Sequence, residues 1–209
     1  HDPALERPAR VEVGLDVNGT PVRAHVTAPD VHQAADLVED RLRRRLVQLQ
    51  DRQRTRHRWI GIAAEHEWRR GDLPRQTLAY YPRPVEEREI VRRKTLALEP
   101  MTADEAAHDM DFLDHDFYLF IDADTRRPAV VAHSPDGYVL YGKAAQGAGA
   151  RVGVPLIVDG PPPVLTEVGA RQRLDVSGEP FVFYVDADDQ QGRVIYRRYD
   201  GHYGLISAT

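Results

Sequence analysis

The amino-acid sequence predicts an α+β chain. It reads as a partial β-α-β-β-β-α N-terminal domain (the last hairpin and helix), a linker, and two tandem small β-α-β-β-β domains packed as an internal pseudo-dimer. Three observations predict this. An Asn18-Gly19 dipeptide joins two alternating apolar segments. A block in the second half recurs at an offset of 64 residues. Each copy of that block holds an apolar run without alternation, where a strand with one face in water would alternate. The expected boundaries are 1–50 for the partial domain, 51–88 for the linker, 89–143 for the first repeat, 144–153 for a short connection and 154–209 for the second repeat.

Residues 11–17 (VEVGLDV) and 20–26 (TPVRAHV) flank the dipeptide. In two-residue register Val17 faces Thr20, Leu15 faces Val22, Val13 faces Ala24 and Val11 faces Val26, so both strands put their apolar residues on one side. Pro21 has no N–H to donate, which suits a sheet edge. Asp30 then opens a helix as N-cap, with Gln33 completing a capping box. Val31, Ala35, Val38, Leu42, Leu46 and Leu49 form its apolar face, leaving Arg41, Arg44, Arg45 and Gln48 largely off it. A hairpin with one helix is too small for a stable core. A further β-α-β element of roughly 30 residues or more is therefore expected ahead of a chain that opens at His1 rather than Met.

Residues 51–88 lose periodicity and collect Arg, Pro and scattered aromatics, among them Trp59, Trp68, Tyr80 and Tyr81. So long a stretch without pattern reads as a tether between domains. Its aromatics could stack on exposed bases, although docking on a neighbouring domain is the commoner use.

Beyond the linker, HDFYLFIDAD (115–124) lies over EPFVFYVDAD (179–188), and the same offset carries Val130 onto Val194, Val131 onto Ile195, Asp136-Gly137 onto Asp200-Gly201 and Thr102 onto Thr166. In the first copy, residues 90–98 read as a strand, Thr102 and Glu105 as a capping box, and Ala106, Met110 and Leu113 as one helical face. In the second, Gly169 stands where Glu105 does, so a shorter or frayed helix is expected. The runs Phe117–Ile121 and Phe181–Val185 should be buried on both faces. One helix per copy covers one face, and the other copy is the nearest cover for the second. Phe117, Leu119, Phe120, Ile121, Phe181, Phe183, Tyr184 and Val185 are the expected repeat–repeat interface.

Charge is unevenly spread. The chain carries 28 Lys+Arg against 33 Asp+Glu, a formal net charge of −5. Residues 1–94 hold 19 basic against 15 acidic side chains, while residues 95–209 hold 9 against 18. Arg41, Arg43, Arg44, Arg45, Arg52, Arg54, Arg56 and Arg58 face one acid, Asp51. Such a stretch can hold phosphate while the acidic half stays off it, or it can be a solvated helix face. The absence of cysteine removes disulfides, thiolate nucleophiles and cysteine-ligated zinc. No apolar run reaches the roughly 18 residues that mark a membrane-spanning helix.

The blocks DFYLFIDAD…DGYVLY, EPFVFYVDAD…RRYDGHYGLI and KTLALEPMTADEAAHDMDFLDHDF resemble the C-terminal domain of long-form ribosome hibernation promoting factors. VEVGLDVNGTPVRAHVTAPDVHQAADLVEDRLRRRL resembles the last two strands and second helix of that family's N-terminal domain. The doubled C-terminal block is similar to the tandem variant of the long form that is made under hypoxia. The resemblance implies a cytoplasmic, ribosome-associated protein that binds 16S rRNA and small-subunit proteins in the decoding region, blocks messenger and transfer RNA, and inhibits translation. In the family the C-terminal domain homodimerises and joins two ribosomes into a 100S particle. A chain whose repeats satisfy each other is expected to idle single 70S particles instead.

For phosphate contact the best candidates are Arg41, Arg44 and Arg45, then Arg52, whose guanidinium groups bind phosphate oxygens bidentately. Asp122-Ala123-Asp124 and Asp186-Ala187-Asp188 resemble a metal-binding DxD pair, but both follow an apolar strand where Asp commonly begins a turn. His108 and His115 have no partner spacing for a metal. No glycine-rich nucleotide loop or nucleophile elbow is present, and Ser134, Ser177 and Ser207 lack a triad-like context. No catalytic residue, metal, cofactor or membrane partner is expected. Outside the ribosome readings, an acidic protein–protein adaptor is the alternative.

Overall fold

The computed structural model describes residues 9–55, 81–135, 137–142 and 156–208. Trp59, Trp68, Tyr80, Asp136 and the connection at 144–153 lie outside them. The chain divides into two units, one of His1–Arg75 with His108–Asp116 and one of Gln76–Ala107 with Phe117–Thr209.

In the first unit, β1 (Ala9–Val17) and β2 (Thr20–Ala28) pair antiparallel, with Val17 opposite Thr20, Leu15 opposite Val22, Val13 opposite Ala24 and Val11 opposite Val26. Asn18 and Gly19 take φ of 53° and 81°, the left-handed pair that a two-residue hairpin turn requires. The Gly19 amide donates to Asp16 Oδ1 at 2.7 Å and fixes the turn. Helix α1 (Val31–Thr55) starts where the Gln33 amide donates to Asp30 Oδ1 at 3.0 Å.

The buried stripe of α1 differs from the expected one. Ala34, Val38, Arg45 and Leu49 are buried, Arg41 is half-buried between them, and Val31 is 62% exposed. Positions 34, 38, 41, 45 and 49 are as good a helical stripe as the apolar set and share Val38 and Leu49 with it. Arginine stems can line such a stripe when their charged ends find a partner. Val22, Leu49 and Phe112 make the core of this unit, flanked by Val17 and Leu42.

The second unit holds two five-stranded sheets. One has the order β4 (Pro100–Met101), β5 (Phe117–Asp122), β6 (Pro128–Ser134), β7 (Gly137–Tyr141), β8 (Leu156–Val158). The other has the order β3 (Ile90–Leu96), β12 (Tyr203–Ala208), β11 (Gly192–Arg197), β10 (Phe181–Asp186), β9 (Val164–Leu165). Helix α2 (Ala103–Phe112) follows β4, and α3 (Glu167–Ser177) follows β9.

The opening strands are exchanged. β3, the first strand of the first repeat in sequence, lies parallel to β12 in the second sheet, and β8 lies parallel to β7 in the first. An offset of 64 carries residues 90–96 onto 154–160, the span that contains β8. Each copy therefore lends its leading strand to the other. Such an exchange costs little when both copies share one chain, because each edge is paired either way and the donor is always close.

α3 is not shortened by its glycine, having 11 residues against 10 in α2. Thr166 Oγ1 still accepts from the Gly169 amide at 3.2 Å, and Gly178 closes the helix at φ 71°. Only the reciprocal arm is missing, the one that Glu105 supplies in α2 by accepting from the Thr102 amide at 2.8 Å.

Two apolar layers result. Ala170 and Leu174 of α3 pack with Val182, Tyr184, Ile195, Tyr203 and Leu205 on one face of the second sheet. On its other face Phe181, Phe183, Val194 and Ala208 meet Leu119, Val130 and Ala132 of the first sheet. The uninterrupted runs are thus buried on both sides, and the repeats form an internal pseudo-dimer. Among the described residues no helix is long and apolar enough to cross a membrane.

Gly192 sits in this seam, where a Cβ would fall 2.4 Å from Pro128 Cβ. Gly192→Ala is expected to lower unfolding free energy by about 1–3 kcal/mol through overpacking. Gly160→Ala, with nothing within 4 Å of the added carbon, should not lower it and should raise it by up to about 1 kcal/mol through the unfolded state. Urea denaturation of the two variants checks this; equal midpoints would mean the seam opens freely at that point.

Candidate functional site

The arginines of α1 divide by direction. Arg45, 4% exposed, donates from Nη2 to Asp114 Oδ1 at 2.8 Å. Arg41 reaches the same oxygen at 3.4 Å and donates from Nη1 to the His25 carbonyl at 3.1 Å. The other Asp114 oxygen accepts from the His25 amide at 2.6 Å and lies 2.7 Å from His25 Nδ1. Arg41 and Arg45, expected on the open side, thus turn inward. The cause is a carboxylate 69 residues further along the chain than Arg45, which α1's own spacing cannot reveal. A buried carboxylate needs such partners, since an unpaired charge in the interior is costly.

Arg43 is exposed and bridges to Glu39 one turn earlier at 2.7 Å. Arg44 is half-buried. Arg52 belongs to the last turns of α1, and its side chain lies outside the described residues. Arg23 went unremarked in the sequence although strand alternation marks it. It sits between inward Val22 and Ala24 on β2 and is exposed.

The eight expected interface residues separate by parity. Phe117, Leu119, Ile121, Phe181 and Phe183 lie in the seam between the sheets. The rings of Phe117 and Phe181 stand 4.7 Å apart, with Tyr196 5.6 Å from Phe117 and Tyr141 edge-on to Phe181 at 5.6 Å. Tyr184 points the other way, into the α3 layer, where burial pushes its phenol up to about 12. Phe120, fully buried, has the same parity on β5 and so faces away from the seam. Val185 shares the seam side of β10 and is half-buried.

The acidic pairs build turns. Asp122 Oδ1 accepts from the Asp124 and Thr125 amides at 3.0 and 2.7 Å, and Asp186 Oδ1 accepts from the Asp188 amide at 2.9 Å. Asp186 Oδ2 is further held by Arg193 Nη1 at 2.8 Å. Each first carboxylate is engaged by its own loop.

The family model "Sigma 54 modulation/S30EA ribosomal protein C terminus" matches this chain twice, at residues 85–139 and 161–205. The "Dormancy associated translation inhibitor" of Mycobacterium tuberculosis is 37% identical over 214 residues, covering 97% of this chain and 71% of that one. The "Ribosome hibernation promotion factor" of Lactococcus lactis is 34% identical over 135 residues, 63% of this chain and 70% of the relative. Its namesake in Deinococcus radiodurans is 33% identical over 147 residues, 66% and 74% respectively.

The chain belongs to the ribosome hibernation promotion factor family. That family is not enzymatic. In this hibernation factor the side chains accordingly organise a fold and its surfaces rather than a reaction centre.

One such side-chain pair pins the exchanged strand. Arg93 of β3 donates from both terminal nitrogens to Glu167 at the start of α3, at 2.7 and 2.9 Å. This bidentate bond holds the Glu167 carboxyl below its ordinary range. A depressed carboxyl contributes stability above its unfolded pKa, about 4.3, and loses it as pH falls through the folded value. Wild type should therefore exceed Glu167→Gln in stability at neutral pH by less than about 1 kcal/mol, given the exposure of the pair. The gap should close in acid. Urea midpoints across the acid range test it, and a gap independent of pH would remove the ion pair as its cause.

Proposed function

We propose that this hibernation factor holds idle 70S ribosomes and so inhibits translation, as the names of its relatives, "Ribosome hibernation promotion factor" and "Dormancy associated translation inhibitor", suggest for them. Its arginine-bearing helix would meet 16S rRNA in the decoding region of the small subunit and block messenger and transfer RNA. The working place is the cytoplasm, on the ribosome. Arg44 and Arg52 remain candidates for phosphate contact. Exposed Arg23 and Arg43 join them, because a phosphate can reach these two without breaking a buried ion pair.

The observation that carries the particle type is the filled seam. Phe117 meets Phe181 within one chain, so the apolar face that a second copy would need is already covered. A factor built this way idles single ribosomes, whereas one whose single C-terminal domain seeks another chain would pair them.

Sucrose-gradient profiles of 70S ribosomes mixed with the protein test this. Monosomes that carry the protein, without a disome peak, are the expected result. A disome peak that depends on the protein would replace this reading with the 100S one. Loss of ribosome co-sedimentation would favour an adaptor for other proteins. The charge contribution is read separately. Arg23→Ala with Arg43→Ala should weaken binding and flatten the plot of log affinity against log salt by about one to two units. An unchanged slope would place both side chains in solvent.

A further inference from the structure

The duplication supplies its own control for the end of α2. An offset of 64 pairs Asp114 with Gly178, Phe112 with Val176 and Asp109 with Arg173. In the second copy Gly178 ends the helix at φ 71°, the left-handed conformation glycine adopts without strain, and Val176 is 89% exposed. In the first copy the same left-handed position is held by Asp114 at φ 54°, a conformation that aspartate tolerates better than most non-glycine residues. Its Phe112 is 7% exposed and packs with Val22 and Leu49. A backbone position that glycine fills freely in one copy thus carries a carboxylate in the other, and that carboxylate is what meets the arginines of α1.

What Asp114 does there resembles what a phosphate would do. One oxygen takes Arg45 at 2.8 Å and Arg41 at 3.4 Å, while the other takes the His25 amide and imidazole. Two guanidinium groups converging on one anionic oxygen is the arrangement by which arginines grip an RNA backbone. The carboxylate at this position and the shift from Arg173 to Asp109 favour a basic partner, the buried Phe112 anchors the segment beside α1, and the second copy has none of these.

We propose that Asp114 is an intramolecular stand-in for an RNA phosphate, keeping Arg41 and Arg45 occupied until ribosomal RNA displaces it. The inference rests on the RNA-binding reading of α1 given above. Free protein is then mostly closed, and its apparent affinity is reduced by the fraction of molecules that are open. Displacement exchanges one carboxylate for phosphates on the same guanidinium groups, so no charge is left buried alone.

The test measures binding of the full chain to purified 70S ribosomes at fixed salt. Asp114→Asn should bind on the order of tenfold tighter than wild type by removing the competitor. Because the chain contains no cysteine, Leu49→Cys with Phe112→Cys offers a single thiol pair across this core, and the fraction that mass spectrometry shows to be disulfide-linked is locked in the closed form. The oxidised form should lose at least tenfold in affinity and recover it on reduction. Should Asp114→Asn fail to fold, the disulfide pair alone decides. Oxidised protein that binds as tightly as reduced protein overturns the stand-in role while leaving ribosome binding intact. A wild type that does not bind ribosomes at all defeats the RNA reading and this inference with it.

Discussion

A sheet that carries one helix has one face covered and one bare. The second five-stranded sheet is in that position, with α3 on one face, and the apolar seam with the first sheet covers the other. Its centre is the pair Phe117–Phe181, the same position of each copy meeting itself across a pseudo-two-fold at 4.7 Å. Tilted aromatic pairs contribute about 0.5–1.5 kcal/mol beyond their buried area, so the contact favours one register over a general apolar collapse. The strand exchange follows from the same constraint. Once the sheets lie face to face, the strand entering one copy can complete the edge of the other, and β3 and β8 both do so.

Tethering changes what this seam means. Between separate chains it would form only at sufficient concentration, whereas here the partner is always present at an effective concentration set by a short connection. The seam can then be permanent, and the outer surfaces of the copies are free to diverge. They have done so. The second copy secures its helix with Arg88 on Asp175 at 2.7 Å and Tyr203 donating to both Asp175 oxygens at 2.6 and 2.7 Å. The first carries only acids among the charged side chains of α2 and ends in Phe112 and Asp114. The central Phe117–Phe181 pair is the same in both copies, while the ends of their helices differ.

How much was legible in the sequence depended on how local the cause was. The hairpin register followed from Asn18-Gly19 and strict alternation, and every expected pairing from Val17–Thr20 to Val11–Val26 occurs. The seam was legible because a non-alternating strand must have two covers, although Phe120 and Tyr184 belong to the helix side. The run of apolar letters hid that parity. α3 was expected to be short because Gly169 replaces a capping partner, yet Thr166 and Gly178 secure its ends without it. The strand exchange left no trace, since a strand reads alike whichever edge it joins. The inward turn of Arg41 and Arg45 was hidden for a related reason: its cause is one carboxylate far along the chain, and no local period records it.

That last case also bears on why the ion pairs are there. A buried salt bridge is weak evidence for stability, because desolvation offsets much of its Coulombic gain and an apolar replacement is often as good. Leu or Met at positions 41 and 45 would pack against Val38 and Leu49 without needing Asp114 as a partner. Keeping guanidinium groups there makes sense if they have a second partner to serve. An exposed run of arginines would bind any polyanion, and nonspecific RNA is abundant wherever ribosomes are. Arginines already paired discriminate against such ligands, since a lone phosphate gains little by displacing a carboxylate that is tethered beside them. A folded RNA surface that presents several phosphates to Arg23, Arg43 and the paired arginines at once can overcome the same competitor. Under the proposed RNA role, selectivity for a structured site over loose RNA would come from the threshold rather than from reading any base.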